Sequence, residues 1–145
     1  MLCHKISILH IDDEEDFLDM AKTYLEYLNE KMSVDTVSSP RKALQILESR
    51  MYDFIVSDQC MPGMTGLELK EELQERGINI PFLLLSGTRK DEINSKASEL
   101  GVVSYLRKNV DPETLFRHLS SIISEVTGHA GAETSSVLPR SPQLL

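Results

Sequence analysis

Residues 54–66 read FIVSDQCMPGMTG. Phe54 to Ser57 form a mostly apolar run that suits a buried strand, and the run ends on a carboxylate, Asp58. Pro62, Gly63 and Gly66 then punctuate a tight loop, the usual mark of a chain leaving one element for the next. An aspartate at the end of a buried strand is costly unless a partner neutralises it or the protein uses its charge.

Outward from this stretch, two apolar patterns alternate. Ile6, Ile8, Leu9 and Ile11 predict a strand over residues 5–11. Phe17, Met20, Ala21, Tyr24, Leu25 and Leu28 recur at helical spacing and predict a helix over 14–29. Val34 and Val37 predict a short strand over 33–37. Ser38 or Ser39 then caps a helix opened by Pro40, with Ala43, Leu44 and Leu47 on its face and an end near Arg50. Tyr52 to Ser57 is the third strand. Leu69 and Leu73 mark a helix over 66–76, and Gly77 is its stop. Pro81 opens a fourth strand over 82–85. A polar helix over 89–99 has a thin face of Ile93, Ala97 and Leu100. The fifth strand runs over 102–106. Asp111 and Pro112 start a last helix faced by Leu115, Leu119, Ile122 and Val126. Strand and helix alternate five times, which predicts an α/β fold with a parallel sheet covered on both faces. Residues 1–127 form that unit. Residues 128–145, GHAGAETSSVLPRSPQLL, lack periodicity and read as a disordered tail or an interdomain linker.

Composition narrows the function. The 145 residues fit one domain, and a net charge of −8 argues against direct nucleic-acid binding and against an anionic membrane surface. No run has the length of a membrane span and the N-terminus lacks a signal-peptide core, so a cytoplasmic protein is expected. Cys3 and Cys60 are read as reduced thiols. His4, His10, His118 and His129 lack ligand spacing and are read as structural or surface residues.

In an open parallel sheet, ligands sit beyond the carboxyl ends of the strands. There the first strand ends in Asp12 and Asp13, the third in Asp58, the fourth in Ser86, Gly87 and Thr88, and the fifth in Arg107 and Lys108. Singly, each has a plain structural reading: a helix cap for Asp12 or Asp13, turn residues for Asp58, Ser86 and Thr88, a solvated cation for Lys108. Jointly they describe a site for phosphoryl chemistry. Neighbouring aspartates raise one another's pKa unless a cation lies between them. Hard oxygens with room for water suit Mg²⁺. Asp12 and Asp13 are the better metal ligands, and the loop after Asp58 offers a backbone carbonyl, that of Cys60. Lys108 and Ser86 supply a positive charge and a hydroxyl, and Asp58 is the candidate nucleophile.

These residues resemble the receiver domain of two-component response regulators over about residues 5–127. The acidic pair in HIDDEED, the stretch IVSDQCMPGMTG, the hydroxyl in LLLSGT and the lysine in YLRKN carry the likeness. The resemblance implies a flavodoxin-like doubly wound sheet of order 2-1-3-4-5. It also implies that Asp12, Asp13 and Asp58 hold Mg²⁺, and that Asp58 accepts a phosphoryl group from a histidine kinase or phosphotransfer protein. Ser86 would then bind the phosphoryl group and Lys108 pair with it. Tyr105 would move with Ser86 and switch a surface made by the fourth helix, fifth strand and fifth helix, where such domains also dimerise. The implied role is a phosphoacceptor signalling domain that assists its own phosphotransfer and dephosphorylation, acting on a protein effector or an attached effector domain. Cys60 and Thr88 would tune the lifetime of the phosphoryl group.

The chain departs from the family pattern at Asn109, where receivers usually carry proline after the lysine, often through a cis bond. A cis bond before asparagine costs about 3–4 kcal/mol, so a trans bond and a differently placed loop are expected. An aspartyl phosphatase of the haloacid dehalogenase-like kind fits less well, because the first strand gives adjacent aspartates rather than the DxD with its leading nucleophile. A binding module of the same fold that is never phosphorylated is the other rival, and the complete acidic, serine and lysine set argues against it.

Overall fold

The computed structural model describes residues 5–87 and 91–128, with side chains in the fourth helix from Ser95 onward. Five strands and five helices alternate. They are β1 (Ile6–Ile11), α1 (Glu15–Leu28), β2 (Met32–Val37), α2 (Pro40–Leu47) and β3 (Phe54–Asp58), then α3 (Gly66–Glu75), β4 (Phe82–Ser86), α4 (Asp91–Glu99), β5 (Ser104–Arg107) and α5 (Pro112–Thr127). The strands form one parallel sheet in the order β2-β1-β3-β4-β5, the doubly wound arrangement that the resemblance implies.

Side chains alternate across each strand, so the sheet buries two apolar layers. Ile6, Ile8, Phe54, Val56, Leu83 and Leu85 face α1 and α5, where they meet Ala21, Leu25, Leu115, Phe116, Leu119 and Ile123. Leu9, Ile11, Ile55, Phe82 and Leu84 face the other way, toward Ala43, Leu47, Leu69, Leu73 and Ala97. Local signals close the helices as read. The Ser39 hydroxyl accepts from the Lys42 amide, the Asp111 carboxylate accepts from the Thr114 amide, and Gly77 ends its segment at φ +76°.

Some details shift. Tyr52 is buried but precedes β3, and its hydroxyl donates to Asp35 Oδ2 at 2.6 Å. β5 starts at Ser104, two residues late, because the Val102 amide is taken by Ala97 at the end of α4. α2 ends at Leu47, and Glu48 to Arg50 close as a tight turn. In α1 the buried residues are Leu18, Ala21 and Leu25, while Met20 is 36% exposed. In α5 they include Phe116 and Ile123, and Val126 is 41% exposed. The apolar set of α5 is wider than one stripe. Which side turns inward is decided by α1, whose Tyr24 ring stacks on Phe116 at 5.2 Å. The readings of Cys3, His4, Thr88, Ile93, His129 and the segment after Gly128 fall outside the described residues or side chains.

Candidate functional site

Register builds the site. Ile11 pairs with Ser57, so the chain beyond each strand brings Asp12 level with Asp58. Asp58 pairs with Leu85 and Ser86 with Arg107, which sets Ser86 and Lys108 at the same rim. A backbone hydrogen bond from Lys108 N to Ser86 O, 2.7 Å, fixes the start of the β5–α5 connection. No peptide bond among the described residues is cis, so Lys108–Asn109 is trans. Lys108 still reaches the acidic cluster.

Carboxylate oxygens of Asp12, Asp13 and Asp58 lie within 4.8 Å of one another. Asp12 and Asp58 are buried and Asp13 is exposed, so the cluster is sunk on one side and wet on the other. The Lys108 ammonium lies 2.9 Å from Asp12 Oδ2, 3.1 Å from Glu14 Oε1 and 3.6 Å from Asp58 Oδ1. Asp12 does not cap α1, whose N-cap is Glu14. Its Oδ1 instead accepts from the Glu14 amide at 2.9 Å, which leaves Oδ2 for the lysine.

The electrostatics follow from burial and crowding. Burial, then the charge of Asp12, pushes the Asp58 carboxyl up to about 6, against the pull of Lys108. Burial raises Asp12 too, with its hydrogen bonds opposing. Burial alone would lower Lys108, but its hydrogen bond to Asp12 and the charges of Asp12 and Asp58 outweigh that, so the ammonium is held above its ordinary value. One cation thus faces more negative charge than it can neutralise. Three carboxylates with a solvent-facing side form a donor set of the kind that suits a hard, partly hydrated divalent cation.

Ser86 is fully buried at the end of β4. Tyr105 pairs in register with Leu84, two positions before Ser86, so both lie on the α2–α3 side of the sheet, where Tyr105 packs half-buried against the core. The Cys60 thiol is exposed.

Sequence reasoning missed several neighbours. Phe17 lies under the Lys108 ammonium at 4.3 Å from its ring centroid, a cation–π contact. His10, read as structural or surface, is wholly buried with neither ring nitrogen hydrogen-bonded, and it meets the Phe17 ring edge-on. Burial, then Lys108, pulls its pKa down to about 3, so the imidazole is neutral. Glu14 stood in the acidic run HIDDEED, but nothing in its spacing marked it as a lysine partner.

The family model for the response regulator receiver domain matches residues 8–120. Among curated proteins, the response regulator SaeR of Staphylococcus aureus is 29% identical over 119 residues, which are 82% of this chain and 51% of SaeR. The chain therefore spans about half the length of the curated relatives it matches. Among solved structures, a response regulator receiver domain protein from Clostridium thermocellum is 28% identical with a TM-score of 0.74, over 86% of this chain and 96% of that one. The chemotaxis protein CheY4 of Vibrio cholerae is 27% identical with a TM-score of 0.72, over 81% and 98%. A receiver domain is in general a signalling domain rather than a classical enzyme. With the 2-1-3-4-5 parallel sheet and the strand-end cluster of Asp12, Asp13 and Asp58, the conclusion is that this chain belongs to the receiver-domain family of two-component response regulators.

Proposed function

We propose that Asp58 is the phosphoacceptor of a phosphorelay, fed by a phosphohistidine on a histidine kinase or phosphotransfer protein. A carboxylate oxygen of Asp58 forms the new P–O bond as the P–N bond to the donor histidine breaks, and the electron pair leaves with the imidazole nitrogen. With a pKa of about 6, Asp58 is ionised at neutral pH and able to attack. Asp12, Asp13, Asp58 and the Cys60 carbonyl would hold Mg²⁺, which supplies charge neutralisation to the transferred group. Lys108 pairs with a phosphoryl oxygen and Ser86 donates its hydroxyl to another. The observation that carries this reading is the convergence of three carboxylates within 4.8 Å, with Lys108 3.6 Å from Asp58.

The added charge of about −1.5 to −2 draws Ser86 and Lys108 toward Asp58. Tyr105 then occupies the space that Ser86 leaves and biases the surface of α4, β5 and α5 between two states. That face would meet the effector or a second copy of the chain. Residues 1–127 are read as the receiver unit and 128–145 as a tail or linker. No helix among the described residues is long and apolar enough to cross a membrane; action in the cytoplasm is part of the proposal.

The test is intact mass after incubation with acetyl phosphate or phosphoramidate, with and without Mg²⁺, beside Asp58→Asn. One phosphoryl mass gained only by the wild type and only with Mg²⁺ supports the reading. No gain in either protein would sink it and favour a module that signals without phosphorylation.

A further inference from the structure

The loop that follows Asp58 has to leave β3, turn, and enter α3 within Cys60–Thr65. Its two ends meet on one residue. Gln59 is buried, 8% exposed, and its amide donates to Leu85 O of β4 at 2.8 Å. Its main-chain carbonyl accepts from the Gly66 amide at 2.9 Å, and its side-chain Oε1 accepts from the Leu67 amide at 3.0 Å. The first amides of a helix lack partners within the helix. Here two of the first three are satisfied by Gln59, the residue that follows β3. The third, Glu68, bonds to the Thr65 hydroxyl, and Glu68 returns a carboxylate to the Thr65 amide. Thr65 and Glu68 therefore satisfy one another at the far end of the loop, and it is Gln59 that ties that end back to β3.

The approach is close. A Cβ on Gly66 would lie 2.5 Å from Asp58 O, 2.6 Å from Leu84 Cδ2 and 3.2 Å from Gln59 Oε1. Only a glycine lets α3 begin against the backbone of the phosphoacceptor itself. Both ends of the loop are thus pinned within one residue of Asp58, and Gly63, at φ +85°, makes the turn between them. Cys60 follows directly on Gln59, whose amide and carbonyl are both fixed by hydrogen bonds.

We propose that Gln59 is a positioning residue for the divalent-cation site: it welds the start of α3 to the end of β3 and so orients the Cys60 carbonyl toward the ion. This rests on the reading of Asp12, Asp13, Asp58 and Cys60 as the Mg²⁺ site. Residues that orient metal ligands without touching the metal typically change its affinity about 10–100-fold when removed. A side chain that only completed the helix end would affect stability and leave affinity alone.

The experiment uses the full chain as wild type, Gln59→Leu and Gln59→Glu. The glutamate keeps an oxygen at the Oε1 position, whereas leucine leaves the Leu67 amide without its acceptor. Mg²⁺ alone is titrated calorimetrically. Amide hydrogen exchange at Gly66 and Leu67 is followed in the metal-free protein, and thermal midpoints are recorded alongside. Gln59→Leu should weaken Mg²⁺ about 10-fold or more and speed exchange at both amides. Gln59→Glu should bind Mg²⁺ at least as tightly as wild type. Mg²⁺ affinity unchanged in Gln59→Leu, whatever its midpoint, overturns the inference and leaves the site reading intact. A wild type that binds no Mg²⁺ overturns the site reading and this inference with it. Should Gln59→Leu not fold, Gln59→Asn, whose oxygen stops one methylene short, carries the same expectations.

Discussion

Asp58 is held as an anion at some cost to the fold, so Asp58→Asn should stabilise the metal-free protein at neutral pH. Burial and Asp12 raise the carboxyl from its ordinary 3.8 to about 6, and the opposing pull of Lys108 is already contained in that result. At about 1.4 kcal/mol per pKa unit, the ionised group costs the folded state about 3 kcal/mol relative to the unfolded chain. The direction follows from proton binding. The folded state holds the proton more tightly, so the wild type keeps its full stability below about pH 4 and loses it as pH rises through 6. Asparagine has nearly the same shape and no charge to lose. The variant and wild type should unfold alike near pH 4, separate between pH 4 and 6, and differ by about 3 kcal/mol at pH 7.5. For a domain of this size that is a midpoint gap of about 10 °C. Urea and thermal unfolding in EDTA across pH 4–8 measure it. Saturating Mg²⁺ should narrow the gap at pH 7.5, because a ligand at about 100 times its Kd adds about 2.7 kcal/mol to the protein that binds it. A gap that does not change with pH, or a variant no more stable than wild type at pH 7.5, would refute the reasoning.

Lys108→Met should destabilise the fold by about 2 kcal/mol in urea unfolding at pH 7.5. It strands the buried Asp12 carboxylate, although the wet side of the cluster keeps the loss below the ~3–5 kcal/mol of a wholly buried pair. In the same variant the Asp58 carboxyl should titrate above its wild-type value by carbon NMR, since Lys108 is what holds it down. Gly66→Ala should cost about 1–3 kcal/mol through the Asp58 O and Leu84 clashes, read by the same unfolding. On α5, Ile123→Ala should cost about 2–5 kcal/mol and Val126→Ala within about 0.5 kcal/mol, because Ile123 is wholly buried and Val126 is exposed. Equal losses at the two positions would contradict the observed orientation of the helix.

Periodicity and end signals alone carried the order of elements. Apolar runs too short for helices, the first four closed by a serine or an aspartate, alternate with helices opened or stopped by serine, aspartate, proline or glycine, and leave few alternatives to a parallel sheet covered on both faces. The acidic cluster was legible for a related reason. In this architecture a strand-end residue goes to the ligand edge, so Asp12, Asp13, Asp58, Ser86 and Lys108 could be assigned to that edge before any contact was known. What the sequence could not settle was every choice among near-equal options that depends on a distant neighbour. The α5 residues Ile122, Ile123 and Val126 are all apolar, yet Ile123 is wholly buried and Val126 is 41% exposed, in a helix whose Phe116 is packed against Phe17 and Tyr24 of α1. Helical spacing could not place Phe17 under Lys108, nor Glu14 beside it, because those contacts join residues more than ninety positions apart. Nor does a glutamine after an aspartate announce that it closes a helix eight residues on. Local patterns are written in the free energy of short segments, so the sequence alone determined the elements and the edge where the chemistry gathers. The facing of each helix, the depth of the carboxylates and the partners of Lys108 come from packing two layers against one sheet, and only the tertiary structure decided them.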